Sequence, residues 1–128
     1  KIDWTPYKGF VYTFDETKDI AWLYLVSDML ITDYSSVMFD YSILNRPMLF
    51  FAYDLEDYKE NLRGFYFDFV NDIPGPISRD TDQLIKDIKE YNEDSWKEKY
   101  KNYHDKFNGI DDGHASQKVI DVIKKVSR

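Results

Sequence analysis

Two short apolar runs flank a polar turn in the first half of the chain. Residues 29–32 and 48–51 consist mostly of Met, Leu, Ile and Phe, and such short continuous runs predict two buried strands. Between them, the turn at 33–36 leads into an apolar-rich stretch at 37–44, which predicts a largely covered helix that ends before Pro47. Together they predict a βαβ unit with parallel strands.

The pattern on either side of this unit predicts further elements. In order, they are a strand at 10–14, a well-buried helix at 19–26, a short helix or loop at 54–62, an extended aromatic run at 64–69, and helices at about 81–91, 92–107 and 115–126. Residues suited to capping these helices are Asp15 or Thr17, Ser35 or Ser36, Asp80 or Thr81, and the segment 92–95. Asn108-Gly109 is a predicted C-cap, and Asp111-Asp112-Gly113 a turn.

The apolar faces of the last two helices predict what each of them buries. The first carries an aromatic stripe at helical spacing, consisting of Trp96, Tyr100, Tyr103 and Phe107. We interpret this stripe as core rather than as a membrane-facing surface, which needs a denser basic rim. The last helix is expected to turn inward its apolar residues Val119, Ile120, Ile123 and Val126.

Strands alternating with helices, followed by a run of helices from about residue 80, predict an α/β fold. We expect a three-layer, Rossmann-like parallel sheet within one domain covering residues 1–128. Pro74-Gly75-Pro76 is expected to shape a loop over the ligand cleft at the sheet. Three predicted strands are few for an open sheet, and Lys1 is not an initiator Met, so we expect a piece of a longer protein.

Composition excludes several classes of function. The chain has 128 residues and no cysteine, which excludes disulfides, thiolate catalysis and zinc–cysteine sites. A net charge of −7 argues against nucleic acid as a partner. The sequence has no apolar run long enough to span a membrane, and nothing in it predicts a cofactor or a metal.

The polar turn at 33–36 carries the clearest candidate chemistry. Ligands of open parallel sheets bind at the carboxyl ends of the strands, and this turn follows the first strand of the βαβ unit. Ser35 and Ser36 stand at the predicted start of the helix, where hydroxyls and unpaired backbone N–H groups suit a phosphate. From the pattern alone, a helix cap and a phosphate contact explain the two serines equally well.

Several short motifs occur in a fixed order between about Tyr12 and Ile123. They are Leu23-Tyr24-Leu25-Val26-Ser27-Asp28, Leu30-Ile31-Thr32-Asp33-Tyr34-Ser35-Ser36, Phe39-Asp40-Tyr41, Arg46-Pro47, Tyr53-Asp54, Tyr58, Gly64, Tyr66, Asp68, Pro74-Gly75-Pro76, Asp111-Asp112-Gly113 and Ala115-Ser116. One motif alone is a weak signal, whereas the ordered series is specific. The series resembles the CDP-glycerol glycerophosphotransferase family, the teichoic-acid primases and polymerases.

This resemblance implies a fold and an activity. The family has a GT-B fold, and this chain would be the C-terminal part of its donor-binding domain. Members transfer glycerol phosphate from CDP-glycerol to a growing teichoic-acid chain, release CMP, and work as peripheral proteins on the cytoplasmic face of the bacterial membrane. The implied partners are therefore CDP-glycerol, a teichoic-acid or lipid-linked acceptor, and the membrane surface.

The resemblance also implies site residues. Ser35 and Ser36 would hold the donor phosphates, and Asp40, one helical turn beyond Ser36, would contact the donor, either by accepting hydrogen bonds from its hydroxyl groups or by orienting a phosphate-binding group. Further candidates for substrate binding are Thr32, Asp33, Tyr34 and Arg46. Beside those roles, Asp33 fits a turn residue, Tyr34 a packing residue, and Arg46 a cation at a helix C-terminus.

The family's catalytic histidines lie upstream of the matched region, so no catalytic residue is assigned here. The two histidines present, His104 and His114, fall outside the motifs. Residues 1–128 alone are therefore expected to be inactive. Two alternatives remain open, namely a transferase of the same fold that uses CDP-ribitol or another nucleotide sugar, and a non-catalytic α/β interaction module such as a receiver-like domain. The second lacks the lysine turn that a receiver needs.

Overall fold

A computed structural model describes residues 2–15, 17–57 and 67–127. A 3-10 helix at Thr5–Tyr7 comes first. The elements that follow are α1 (Ala21–Val26), β1 (Leu30–Thr32), α2 (Val37–Ser42), β2 (Met48–Phe51), α3 (Leu55–Asp57), α4 (Phe69–Asp72), β3 (Ile77–Ser78), α5 (Thr81–Lys89), α6 (Glu93–Phe107) and α7 (Ala115–Val126).

The described strands form a parallel sheet in the order β1-β2-β3. Leu30 pairs with Met48, and Phe50 pairs with Ile77. β2 is central, and its first three residues are fully buried, as expected for a parallel strand covered on both faces. Helix α2 connects β1 to β2, which confirms the predicted βαβ unit.

The strand predicted at 10–14 is wrong. Val11 makes only an isolated bridge to Lys8, and Phe10 and Tyr12 are 85% and 83% exposed. A β-prone sequence becomes a strand only beside a partner, and no described strand lies next to this segment. The third strand is instead β3, which the pattern missed because two residues after a proline are too short to show alternation.

The core lies between the sheet and α2, α4 and α6. Its buried apolar members include Met38, Tyr41, Met48, Phe50, Leu55, Phe69, Ile73, Tyr100 and Tyr103. Phe39 of α2 stacks on Tyr103 of α6 with ring centroids 5.9 Å apart, and it meets Phe107 at 5.0 Å. The aromatic stripe of α6 is therefore core, as predicted.

Helices α1 and α7 are exposed, contrary to prediction. In α1, which begins two residues later than predicted, Trp22, Leu25 and Val26 are exposed. The range predicted for α7 is confirmed, but its four predicted inward residues are 43–79% exposed. An apolar stripe shows only that a helix can be covered. Among the described residues, α1 is covered on one side, where Tyr24 packs on Tyr41 with ring centroids 5.8 Å apart, and α7 has no buried residue.

Two predicted N-caps are confirmed, because Asp80 accepts from the N–H of Gln83 at 2.8 Å and Asn92 accepts from that of Asp94 at 3.0 Å. The N-cap predicted for α1 is wrong. The Asp15 carboxylate bonds only Thr17 within the described residues, at 2.7 Å between side chains. The side chain that bonds the start of α1 is instead Asp19, which accepts from the Ala21 N–H at 2.9 Å.

Asn108 is the C-cap of α6 as predicted, but Gly109 is not in the left-handed region. The buried Asn108 amide donates to the Phe39 carbonyl at 3.0 Å and accepts from the Ser42 hydroxyl at 2.7 Å. A side-chain network thus joins the end of α6 to α2, which explains why the helix stops at an asparagine.

The middle of the chain is partly described. The segment predicted at 54–62 contains α3, and the rest of it lies outside the described residues, as does most of the aromatic run 64–69. Phe69 begins a helix rather than ending an extended run. Pro74-Gly75-Pro76 is buried against the amino end of β2, so it does not form the predicted loop over the cleft. None of the described helices has the length and apolarity needed to cross a membrane.

Candidate functional site

The loops at the carboxyl ends of β1 and β2 are joined by a side-chain hydrogen bond. Tyr34 follows β1, and Asp54 follows β2. The Tyr34 hydroxyl donates to Asp54 Oδ1 at 2.7 Å, and its ring packs on Phe69 at 5.5 Å between centroids. Burial and this carboxylate raise the pKa of Tyr34 well above its usual value, so the phenol keeps its proton.

The turn at 33–36 is stabilised from within. Asp33 Oδ1 accepts a hydrogen bond from the Ser35 N–H at 2.9 Å, which is the local contact expected of a turn residue. The Ser35 hydroxyl accepts weakly from the Val37 N–H at 3.5 Å. Thr32 is the last residue of β1 and immediately precedes this turn.

Ser36 precedes α2 but does not cap it with its side chain. Its φ of −60° and ψ of −13° are helical, whereas capping residues usually adopt an extended backbone. Its side chain is exposed and makes no hydrogen bond within the described residues. The hydroxyl therefore remains available to a ligand.

Asp40 lies four residues after Ser36 on α2, so the two side chains share a helix face. The Asp40 carboxylate is exposed and has no ion-pair partner in the described part of the chain. It lies close enough to Tyr24 to act on it, because burial first, and then the charges of Asp40 and Asp19, raise the pKa of that phenol. An open hydroxyl and an open carboxylate thus stand side by side beyond β1.

Arg46 lies elsewhere. Its guanidinium Nη1 donates to the carbonyl oxygens of Tyr24, Leu25 and Ser27, at 3.2, 3.0 and 2.7 Å. It therefore acts as a C-terminal cation for α1, not for the helix that precedes it in sequence. Because Arg46 precedes β2 and the turn follows β1, the two lie at opposite edges of a parallel sheet.

Reasoning from the sequence missed one residue of this region, Asp54. Its signal was available, since Asp54 follows the second strand of the βαβ unit just as Tyr34 closely follows the first. His104 lies on α6 and His114 precedes α7, so neither belongs to the turn. Among the described residues, no cluster of three or more His, Asp or Glu side chains is suited to a metal.

Comparison with known proteins gives this geometry a context. The model of the CDP-Glycerol:Poly(glycerophosphate) glycerophosphotransferase family matches residues 1–125. The chain is 46% identical over 126 residues to a teichoic acid poly(glycerol phosphate) polymerase of Bacillus subtilis strain 168, covering 97% of this chain and 17% of the relative. It is 44% identical to a teichoic acid poly(ribitol-phosphate) polymerase of Bacillus spizizenii, covering 91% and 18%.

Solved structures agree. The chain superposes on the wall teichoic acid polymerase TagF with a TM-score of 0.83 and 44% identity, covering 97% of this chain and 31% of that one. A TagF variant soaked with CDPG matches with the same TM-score. The match confirms the predicted α/β class as part of a GT-B fold, although the chain spans less than a third of these two structures. This chain belongs to the CDP-glycerol:poly(glycerophosphate) glycerophosphotransferase family.

Proposed function

We propose that this chain supplies the donor-binding part of an enzyme that transfers glycerol phosphate from CDP-glycerol to a teichoic-acid chain and releases CMP. The observation that carries the proposal is the pair of open side chains, Ser36 and Asp40, beyond the carboxyl end of β1. The soak of a related polymerase with CDPG supports a nucleotide donor of this kind.

Each residue of the turn has a distinct part in the proposal. The Ser35 and Ser36 hydroxyls donate hydrogen bonds to the phosphates of CDP-glycerol. These hydrogen bonds are strong because the phosphate oxygens are charged. Asp40 accepts hydrogen bonds from donor hydroxyls, because a carboxylate repels phosphate. Thr32, Asp33 and Tyr34 fix the turn. Arg46 holds α1 and does not enter the donor site.

The rest of the reaction is assigned to parts of the enzyme beyond this chain. We propose that residues 1–128 form one domain unit, that the catalytic histidines belong to another part of the protein, and that residues 1–128 alone do not transfer glycerol phosphate. The teichoic-acid acceptor meets the donor in the intact enzyme, which works peripherally on the cytoplasmic face of the bacterial membrane.

Titration of the chain with CDP-glycerol, CDP-ribitol and UDP-glucose, followed by amide chemical shifts, tests this function. We expect CDP-glycerol to shift amides at 33–40 and UDP-glucose to leave them unchanged. Stronger shifts with CDP-ribitol would assign the donor polyol to ribitol, the polyol in the name of one similar polymerase. No response to either CDP ligand would contradict donor binding by this turn.

Tyr34→Phe is expected to weaken donor binding about threefold to tenfold. The variant keeps the ring against Phe69 but loses the bond to Asp54, and one such bond contributes about 0.5–1.5 kcal/mol. Tyr34 is a positioning residue, so KM for the donor in the intact enzyme should rise more than kcat falls. Tyr53→Phe, an exposed tyrosine at the same sheet edge, is the control. Equal effects from both variants would contradict the role of Tyr34.

A further inference from the structure

A cavity of about 390 Å³ opens beside α6, at the edge of the sheet opposite the turn. Asn45 and Pro47, which precede β2, line one side, and Tyr91 and Tyr100 form an aromatic wall. Because these residues lie at the amino end of a strand, the cavity is separate from the donor site at the carboxyl ends.

One face of α6 gives this cavity its charge. Lys97, Lys101 and His104 line it at helical spacing, and Glu93 and Asp94 line it at the helix start. Lys97 and Lys101 form no ion pair with any residue in the described part of the chain. Within the described ranges, the cavity therefore presents two lysines without an ion-pair partner, one to two helical turns beyond two carboxylates.

The aromatic wall contains polar groups without partners. The hydroxyls of Tyr91 and Tyr100 are both buried and have no hydrogen-bond partner among the residues that the structure describes. Tyr100 is only 9% exposed, and an unpaired buried hydroxyl destabilises a folded protein. Because these hydroxyls are buried, the wall presents mainly aromatic carbon to the cavity, a surface on which the carbon backbone of a ligand can pack.

The arrangement selects among ligands. Inorganic phosphate suits the lysines but is repelled by Glu93 and Asp94, and the net charge of −7 disfavours nucleic acid. From residue 93 to residue 104 the helix axis rises about 16 Å, which is long enough for a ligand with several polar groups. Hydroxyls suit the carboxylates, and a phosphate suits the lysines.

We propose that this cavity binds a polyol phosphate, with its phosphate at Lys97 and Lys101 and its hydroxyls at Glu93 and Asp94. The carbon backbone of the ligand packs on the ring of Tyr100. The choice of glycerol phosphate as the ligand rests on the proposed function, because the product of that reaction is a growing polymer of glycerol phosphate units. The site would hold the polymer away from the donor turn, or take the free polyol phosphate.

Amide shifts of the chain provide the test, with sn-glycerol 3-phosphate, a synthetic oligo(glycerol phosphate) and inorganic phosphate as probes. We expect both polyol phosphates to shift amides at 91–104, and inorganic phosphate to bind more weakly. Tighter binding of the oligomer identifies the polymer as the source, and equal binding identifies the free compound. CDP-glycerol, which reports on 33–40, shows separately whether the donor site is functional.

Lys97→Ala combined with Lys101→Ala is expected to weaken polyol-phosphate binding about tenfold, because two partly exposed charge contacts are lost. The control is Lys124→Ala with Lys125→Ala on α7, which removes the same charge outside the cavity. Absence of shifts at 91–104, equal binding of inorganic phosphate, or equal loss in both double variants would each overturn the proposal. None of these results bears on donor binding at the turn.

Discussion

Ser36→Asp is expected to weaken CDP-glycerol binding at least about a hundredfold, because a carboxylate facing donor phosphates costs several kcal/mol. The fold should be unaffected. Asp is as good a helix N-cap as Ser, and Ser36 makes no capping bond to lose, so the free energy of unfolding should change by less than about 1 kcal/mol. Titration with CDP-glycerol and urea unfolding of the same sample measure both quantities.

This substitution separates the two interpretations that the sequence left open. If Ser36 only begins a helix, Asp serves equally and donor affinity is retained, which contradicts a phosphate contact. Ser36→Ala should lose about tenfold in affinity, the usual effect of removing one hydrogen bond to a charged group. Ser95→Asp adds the same charge to an exposed position in the first turn of α6 and should leave donor binding unchanged.

The elements that were predicted correctly are those whose burial follows from their own residues. β2 is continuously apolar because it is buried on both faces, and α6 carries its aromatic stripe where it meets α2. The strand predicted at 10–14 and the burial of α1 and α7 depend instead on a neighbour. Periodicity records which face is apolar and carries no information about what lies opposite it.

The candidate site shows the same division. The turn at 33–36 could be located because polar residues between two apolar runs mark the end of a strand. The hydrogen-bond partners of Tyr34 and Arg46, in contrast, lie far away in the sequence. Arg46 reaches carbonyls 19 to 22 residues away, and Tyr34 reaches Asp54 across 20 residues. Local patterns do not encode such pairings, so the sequence indicated a helix C-terminal cation at Arg46 without showing which helix it serves, and it missed Asp54.

Gly75→Ala is expected to prevent stable folding. A Cβ at Gly75 would lie 1.9 Å from the Met48 carbonyl oxygen and 2.9 Å from its carbonyl carbon. These are backbone atoms of the central strand, which pairs on both sides and cannot withdraw as a flexible side chain would. We expect a loss of more than about 4 kcal/mol, comparable to the whole stability of a small domain. Urea unfolding, or loss of soluble protein, measures it.

Gly113→Ala is the matched control, because it replaces a glycine for which conformation is the only constraint. Gly113 has a φ of +77°, and no atom of the described residues lies within 4 Å of an added Cβ, so the cost is about 1–2 kcal/mol of backbone strain. The difference between the variants isolates the close approach of Gly75 to β2. Equal, small losses would show that β2 and the Pro74-Gly75-Pro76 segment are not in contact.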